Sequence, residues 1–125
     1  MATVAPQQVN WFTYFPSDYR WSATICLMLA TANMGGSDIG EVDRAGRRLR
    51  ERLGDDDAWF DEWLRLGNEV RQLADDAKAS GHGISAASAY LRACCYYQWA
   101  ERFQTPKNDR ILEVFKTSID CFHEY

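Results

Sequence analysis

Apolar side chains recur at steps of three and four residues along most of the chain, the spacing that places them on one face of an α-helix. The longest such run begins after the acidic segment 55–57 and reaches about Ser80. Gly81 then fits the left-handed residue that follows a helix C-terminus. We expect a long third helix that is buried along one side. Its apolar positions are Trp59, Trp63, Leu66, Val70, Leu73 and Ala77.

The same spacing predicts two shorter helices before this one. The first extends from about Asp18 to Met34, with Ser17 as its N-cap, and a pair of glycines ends it. The second follows the N-cap Ser37 and ends before Gly54. We expect each helix to turn one apolar face inward. The predicted inward positions are Trp21, Ile25, Met28, Leu29 and Ala32 in the first helix, and Ile39, Val42, Gly46, Leu49 and Leu53 in the second.

Two more helices are predicted after the third. The fourth begins after the turn 81–84, with Ser85 as its N-cap, and reaches about Phe103. Small residues dominate its inward face, which lets a neighbouring helix approach closely. The fifth extends from Asp109 to about Phe122 and is capped by Asn108. The predicted inward positions are Ala86, Ala89, Ala93, Tyr96, Ala100 and Phe103 in the fourth helix, and Ile111, Leu112, Phe115, Ile119 and Phe122 in the fifth.

No segment shows the alternating pattern of β-branched and polar residues that is typical of a strand. The chain is therefore predicted to be all-α, with about five helices in a compact antiparallel helical domain and no sheet. Residues 17–125 form this single domain in the prediction. Residues 1–16 are assigned to an N-terminal tail that ends in an aromatic-rich segment.

Charge and hydropathy exclude several classes of partner. The chain has 18 acidic and 14 basic side chains, whereas a general nucleic-acid binder needs a basic surface, so no nucleic-acid partner is expected. It has no run of 18 apolar residues, so no membrane association is expected. Residues 1–10 lack the features of a signal peptide, which predicts a cytoplasmic protein. The four cysteines lie in apolar helical runs and are expected to be reduced core thiols.

Residues suited to catalysis or to cofactor binding are sparse. Acyl transfer needs a nucleophile with a base in reach, but His82 and His123 are the only histidines and no GxSxG motif occurs. The zinc-binding patterns HExxH and CxxC are absent, and the turn 81–83 lacks the spacing of a phosphate-binding loop. We therefore predict no catalytic residue, no metal ligand and no cofactor within these 125 residues.

Aromatic residues are the more informative candidates for a binding surface. Tyr96 and Tyr97 point to different faces of the predicted fourth helix, and Tyr14 and Phe15 precede the first helix. These side chains either fill helix interfaces or contact another domain or an aromatic ligand, and the sequence leaves both interpretations open. His82 lies in the turn between the third and fourth helices. There, contact with the turn backbone or with water is favoured over contact with a ligand.

Several segments resemble the N-terminal helical region of a group of α/β-hydrolases. This group includes 2,6-dihydroxypseudooxynicotine hydrolase, the fungal hydrolases that shorten a polyketide pigment precursor, and FrsA-like esterases. The similarity covers roughly residues 12–122, and Trp99 and the pair Cys94-Cys95 depart from the family pattern. The matching segments are 12–21, 35–41, 59–63, 81–86, 90–93 and 96–103.

The resemblance implies a role in a larger catalytic unit. In that family, the helical region packs over a sheet domain and helps to enclose a cleft, in which a Ser-Asp-His triad hydrolyses carbon-carbon bonds next to a ketone, or esters. By the family pattern the first strands would follow Tyr125, so the triad is supplied elsewhere. The resemblance thus implies a lid or substrate-binding part for an aromatic or polyketide-like small molecule. The candidate substrate contacts are Phe15, Tyr19, His82, Tyr96 and Tyr97.

Two other functions are weighed against this one. The first is a stand-alone helical module that binds a protein partner or an apolar ligand through its aromatic surface. The second is a small independent enzyme that uses Asp, Glu and Tyr side chains, which is the least favoured because the sequence places no carboxylate visibly in an apolar pocket. The oligomeric state stays open, and a homodimer is compatible with the sequence.

Overall fold

The computed structural model describes residues 12–125, and these residues form five α-helices without a strand. The prediction of an all-α fold with about five helices is confirmed. A single 3₁₀ turn follows each of the first two helices. Residues 1–11, which make up most of the predicted tail, lie outside the described residues. The helices are α1 (Tyr19–Ala30), α2 (Ile39–Leu49), α3 (Asp56–Ala79), α4 (Gly83–Ala100) and α5 (Asp109–Glu124).

A hairpin of the two longest helices, α3 and α4, forms the centre of the molecule. The turn between them is tight because Gly81 adopts a φ of 77°, the left-handed conformation that glycine reaches without steric cost. This agrees with the sequence prediction for Gly81. α5 packs against α4, α2 packs against α3, and α1 contacts α2. The core therefore lies between the α3–α4 hairpin and the helices around it.

Side-chain caps begin four of the helices. Asp55 accepts hydrogen bonds from the backbone N–H groups of Asp57 and Ala58 at the start of α3, and Asn108 caps α5 in the same way. Both agree with the prediction. The predicted serine caps of α1 and α2 are wrong, because the aspartate that follows each serine accepts the capping bond instead. Ser37 is used differently, since its hydroxyl donates to the carbonyl of Met28 at 2.7 Å.

The start of α4 also differs from the prediction. His82, and not Ser85, occupies the N-cap position of this helix, and no side chain caps it. Ser85 lies inside the first turn and is exposed. α4 also ends at Ala100, three residues before the predicted end at Phe103, and Phe103 instead packs its ring against Trp59 at 5.1 Å.

An aromatic cluster fills the core. The Trp21 and Trp59 rings lie 5.1 Å apart, Trp59 and Trp63 lie 5.3 Å apart, and Tyr96 stacks on Trp63 at 6.3 Å. Three helices, α1, α3 and α4, thus contribute rings to one continuous cluster. The Trp59 indole N–H donates to the carbonyl of Trp99, so this buried polar group is satisfied.

The inward faces predicted for α3 and α4 are largely confirmed. In α4 the small residues of that face are buried, as predicted. In α3 the stripe is buried except at Leu73, which is exposed, and at Ala77, which is half-buried, while Ala74 takes an inward position. Ile39 and Leu53, which were predicted to face inward from the second helix, are also exposed. Ile39 is the first residue of α2, and Leu53 lies beyond its last residue.

Among the described residues, no helix is long and apolar enough to cross a bilayer. The four cysteines are all free thiols, and Cys94 and Cys121 are buried between α4 and α5. Burial raises the pKa of Cys94 to about 11, so the thiol stays protonated at neutral pH. Cys94 and Cys121 thus match the expectation of core cysteines, whereas Cys26 and Cys95 are only half-buried.

Candidate functional site

Tyr96 is completely buried between α2 and α4. Its hydroxyl donates to the carboxylate of Glu41 at 2.6 Å and accepts the backbone N–H of Asp38 at 2.9 Å. Arg92 contributes two further donors to the Glu41 carboxylate, at 3.0 and 3.1 Å. Burial and the bond to Glu41 raise the pKa of Tyr96. This network ties α4 to the start of α2.

Tyr97, the next residue, is also completely buried but lies on the α3 side of α4. Its hydroxyl donates to the side-chain carbonyl of Asn68 at 2.7 Å. Its ring lies on Gly67, where a Cβ atom would stand only 2.8 Å from the ring carbons. Burial raises the pKa of Tyr97 to about 12. The two tyrosines therefore fill two different helix interfaces.

Phe15 is buried as well, although it precedes the first helix. Its ring packs edge-on against Trp21 at 5.6 Å, and its backbone N–H and carbonyl both bond to the hydroxyl of Ser22. The aromatic-rich segment thus closes one side of the core. Tyr14 lies beside it, with its hydroxyl bonded to Asp43 at 2.6 Å and its ring close to Gly46.

Tyr19 and His82 are the two exposed members of the five candidate contacts. Tyr19 opens α1, and the following residue, Arg20, pairs with Asp56 at the start of α3. His82 lies just beyond the end of α3, which has 24 residues. A helix of this length is about 36 Å long, so the two side chains lie at opposite ends of the bundle.

The structure does not bring the five candidate residues to one surface. Three of them are in the core, and the two exposed ones are far apart. Their role as substrate contacts stays a prediction. In the described conformation, a ligand on the outside of the bundle would touch Tyr19 or His82 but not Phe15, Tyr96 or Tyr97.

An apolar surface that was not predicted from the sequence lies on α5. Four residues predicted to face inward are instead between 38% and 56% exposed. Successive helix residues are about 100° apart, so these side chains occupy a stripe roughly 80° wide. We call them the α5 outer stripe. They are Leu112, Phe115, Ile119 and Phe122.

A second, parallel stripe of α5 is the buried one. Ile111, Val114, Ser118 and Cys121 face the rest of the bundle. The prediction was correct for Ile111 and wrong for the other four positions, because α5 has two adjacent apolar stripes and the chain covers only one. The signal was present in the sequence, since apolar positions span about half of the helix circumference, which is wider than one packing neighbour requires.

A polar cavity of about 340 Å³ lies where α3, α4 and the end of α5 meet. Tyr90 donates its hydroxyl to Asp75 at 2.5 Å there, and this bond with burial raises the pKa of Tyr90 to about 12. Lys78 pairs with Glu124 beside it. Arg71 and His123 complete a mixed-charge lining that suits a small polar group.

A second cavity, of about 330 Å³, is lined mainly by apolar side chains near the start of the described chain. Phe12 and Ile39 form its exposed lip, and Val42 lies at its floor. The Tyr14–Asp43 pair supplies its polar edge. Among the described residues no group of three or more His, Cys, Asp or Glu side chains is arranged to hold a metal ion.

Comparison with known proteins decides the family. The chain is 32% identical to Hydrolase acrC of Aspergillus aculeatus over 89% of its length, and 34% identical to Hydrolase LUC6 of a Fusarium species over 86%. It is 30% identical, over 86% of its length, to 20-hydroxy-prefusarin hydrolase FUS2 of Gibberella moniliformis. The chain is homologous to part of a group of fungal hydrolases, of which xenA of Xenoacremonium sinensis and psoB of Aspergillus fumigatus are named α/β-hydrolases.

The chain corresponds to only part of each relative. The chain spans about a quarter of the length of the relatives it matches, 26% for acrC, LUC6 and FUS2 alike. The resemblance inferred from the sequence is thereby confirmed. No family model matches the chain, and no solved structure matches it.

Proposed function

We propose that this chain is the helical lid or substrate-binding part of a serine-type α/β-hydrolase. The Ser-Asp-His core is supplied by another part of the catalytic unit. The reaction proposed is hydrolysis of carbon-carbon bonds next to ketones, or of esters, in aromatic or polyketide-like substrates. The cellular location proposed is the cytoplasm, and no cofactor is invoked.

One observation carries this proposal: nearly the whole chain matches a quarter of each of several hydrolases. A chain that matches one quarter of an enzyme corresponds to one part of that enzyme and not to the whole of it. One of these relatives is named as a hydrolase of 20-hydroxy-prefusarin. That name supports hydrolytic chemistry for the catalytic unit to which this chain belongs.

The helical bundle suits the role of a lid. Its core is closed by aromatic contacts and capped helices, so it can move or dock as a rigid body. A rigid lid excludes water from a reacting centre and holds a substrate against the nucleophile. Tyr19 and His82 remain the accessible candidates for substrate contact. Phe15, Tyr96 and Tyr97 would act by shaping the bundle that carries them.

Activity measurements on activated esters test the proposal. The isolated chain is expected to show no turnover above the uncatalysed rate, because it supplies no nucleophile with a base in reach. A chimera of acrC in which this chain replaces the matching segment is expected to be active. The control is acrC itself. Robust turnover by the pure 125-residue chain, or an inactive folded chimera, would contradict the proposal.

The second candidate function is a stand-alone module that binds a protein partner or an apolar ligand. It is favoured by the self-contained core, in which five helices share one cluster of buried residues. Affinity purification from the native source separates the two functions. A GxSxG protein that co-purifies at fixed stoichiometry supports the lid, and its consistent absence supports the module.

A further inference from the structure

We propose that the α5 outer stripe is the docking surface for an α/β-hydrolase catalytic domain. The inference rests on the proposed function, which supplies the identity of the partner. It adds the face of the bundle that the partner covers. The argument uses the burial pattern of α5, the size of the stripe and the polar residues at its edge.

The burial pattern shows that α5 carries more apolar surface than the bundle covers. Its inner stripe already packs on the bundle, and the outer stripe beside it still leaves between 38% and 56% of each residue in water. Two leucine-sized and two phenylalanine side chains, aligned over eleven residues of one helix, form an apolar patch of the size that often serves as an interaction site. The row is continuous because its members are three, four and three positions apart.

The size of the stripe favours a tethered catalytic domain over a second copy of the chain. Aromatic side chains cover about 150–250 Å² each, so the four partly exposed residues present an area of roughly 400 Å². Two copies joined through this stripe would bury roughly 800 Å², below the 1,200 Å² typical of stable complexes. Domains held together by a linker need only about 600–1,500 Å² in total, because the linker raises their local concentration.

Polar residues border the stripe on its free side. Lys116 and His123 lie at its edge on the α5 helical wheel, and both are exposed. The other side adjoins the buried inner stripe. An apolar centre with a polar margin is the usual composition of a protein interface. The same margin leads to the polar cavity that His123 lines, so this cavity would lie at the rim of the docked domain.

The acrC chimera described above tests the docking surface. In it, Phe115→Asp combined with Ile119→Asp places two charges on the stripe, and Leu73→Asp is the matched control. Leu73 is also about half exposed. It shares its side of α3 with Glu62 and Glu69, which pair with α2 arginines, so it faces away from α5. Both substitutions are also made in the isolated chain, where each variant is expected to stay folded and to unfold in a single transition, because more than a third of each replaced residue is already in water.

The expected result is a single unfolding transition for the chimera and for its Leu73→Asp form. The double variant is expected to unfold in two transitions, the lower one at the midpoint of the isolated chain that carries the same two substitutions, with kcat/KM at least tenfold lower. An active chimera whose double variant behaves like the parent overturns the docking surface and leaves the proposed function intact. An inactive chimera overturns the proposed function first. A stable dimer of the isolated chain that the double substitution dissociates overturns the choice of partner.

Discussion

Tyr96 and Tyr97 are neighbours in sequence, yet their hydroxyls bond to partners 55 and 29 residues away. The sequence correctly placed them on different faces of one helix. It could not decide whether those faces were exposed to solvent, because Glu41 and Asn68, which accept hydrogen bonds from the two hydroxyls, belong to other helices. Phe15 is similar, since its burial depends on Ser22 and Trp21 of α1. Residues chosen as ligand contacts by their type alone can therefore prove to be part of the core.

Gly67 of α3 lies directly against the ring of Tyr97 in α4. Substitution of Gly67 by Ala would place a methyl group 2.8 Å from the Tyr97 ring, which is fixed by its bond to Asn68. We expect a loss of about 1–3 kcal/mol in the free energy of unfolding, the usual cost of overpacking. Urea denaturation measures it.

The matched control for this substitution is Gly83→Ala. A Cβ atom at Gly83 meets nothing within 4 Å, and the residue is the first of α4. Alanine there is expected to be neutral or to stabilise by up to about 1 kcal/mol, because it restricts the unfolded chain. Equal effects of the two alanines would contradict the close approach seen at Gly67.

Among elements, α3 and α4 were predicted best because their burial follows from local spacing and from strong end signals. Asp55 and Gly81 define α3 in the sequence and in the structure alike. The caps of α1 and α2 were misplaced by one residue, since serine followed by aspartate offers two capping groups at adjacent positions. Which one binds the helix N–H groups depends on the preceding loop. Ser37, for example, is drawn away to the carbonyl of Met28.

Substitution of Asn108 at the start of α5 and of Ser85 near the start of α4 tests which of the two residues caps a helix. Asn108→Ala removes the acceptor for the backbone N–H of Ile111 and is expected to cost about 0.5–2 kcal/mol of stability. Ser85→Ala, at the cap predicted from sequence, is expected to change stability by less than about 0.5 kcal/mol, because Ser85 lies exposed inside α4. Urea unfolding of both variants compares them. A larger loss at Ser85 than at Asn108 would restore the sequence-based assignment.

α5 shows a different limit of sequence reasoning. Its spacing predicted a helix with the correct start, but a helix with two adjacent apolar stripes fits a core equally well through either one. The choice depends on which neighbour is present, and α4 covers the stripe that contains Val114 and Cys121. The fold of these residues therefore does not account for the apolar character of the outer stripe, which the docking proposal assigns to a larger catalytic unit.

At the scale of the whole molecule, the question is whether α5 opens with the rest of the bundle or by itself. Cys94 on α4 and Cys121 on α5 report on it, because both thiols are buried and burial raises both pKa values. With a pKa of about 11, only about one Cys94 thiol in a thousand is ionised at pH 8, so reaction requires opening. The aromatic core joins α1, α3 and α4 but contains no ring from α5. α5 is therefore held mainly by its inner stripe and by ion pairs at its two ends.

We expect Cys94 and Cys121, which both lie in the α4–α5 interface, to react with a thiol reagent at a lower urea concentration than the one at which tryptophan fluorescence reports unfolding of the aromatic core. The physical reason is that an undocked α5 breaks fewer buried contacts than global unfolding does, which is typical of a locally opening unit. The experiment uses a Cys26→Ser, Cys95→Ser variant, in which two thiols remain, and mass spectrometry of the labelled peptides identifies each site. Labelling that follows the fluorescence transition at every urea concentration would contradict the expectation and make the bundle one cooperative unit. In the acrC chimera, a docked partner on the outer stripe would hold α5 in place and slow the labelling of both thiols, which connects this local opening directly to the proposed interface.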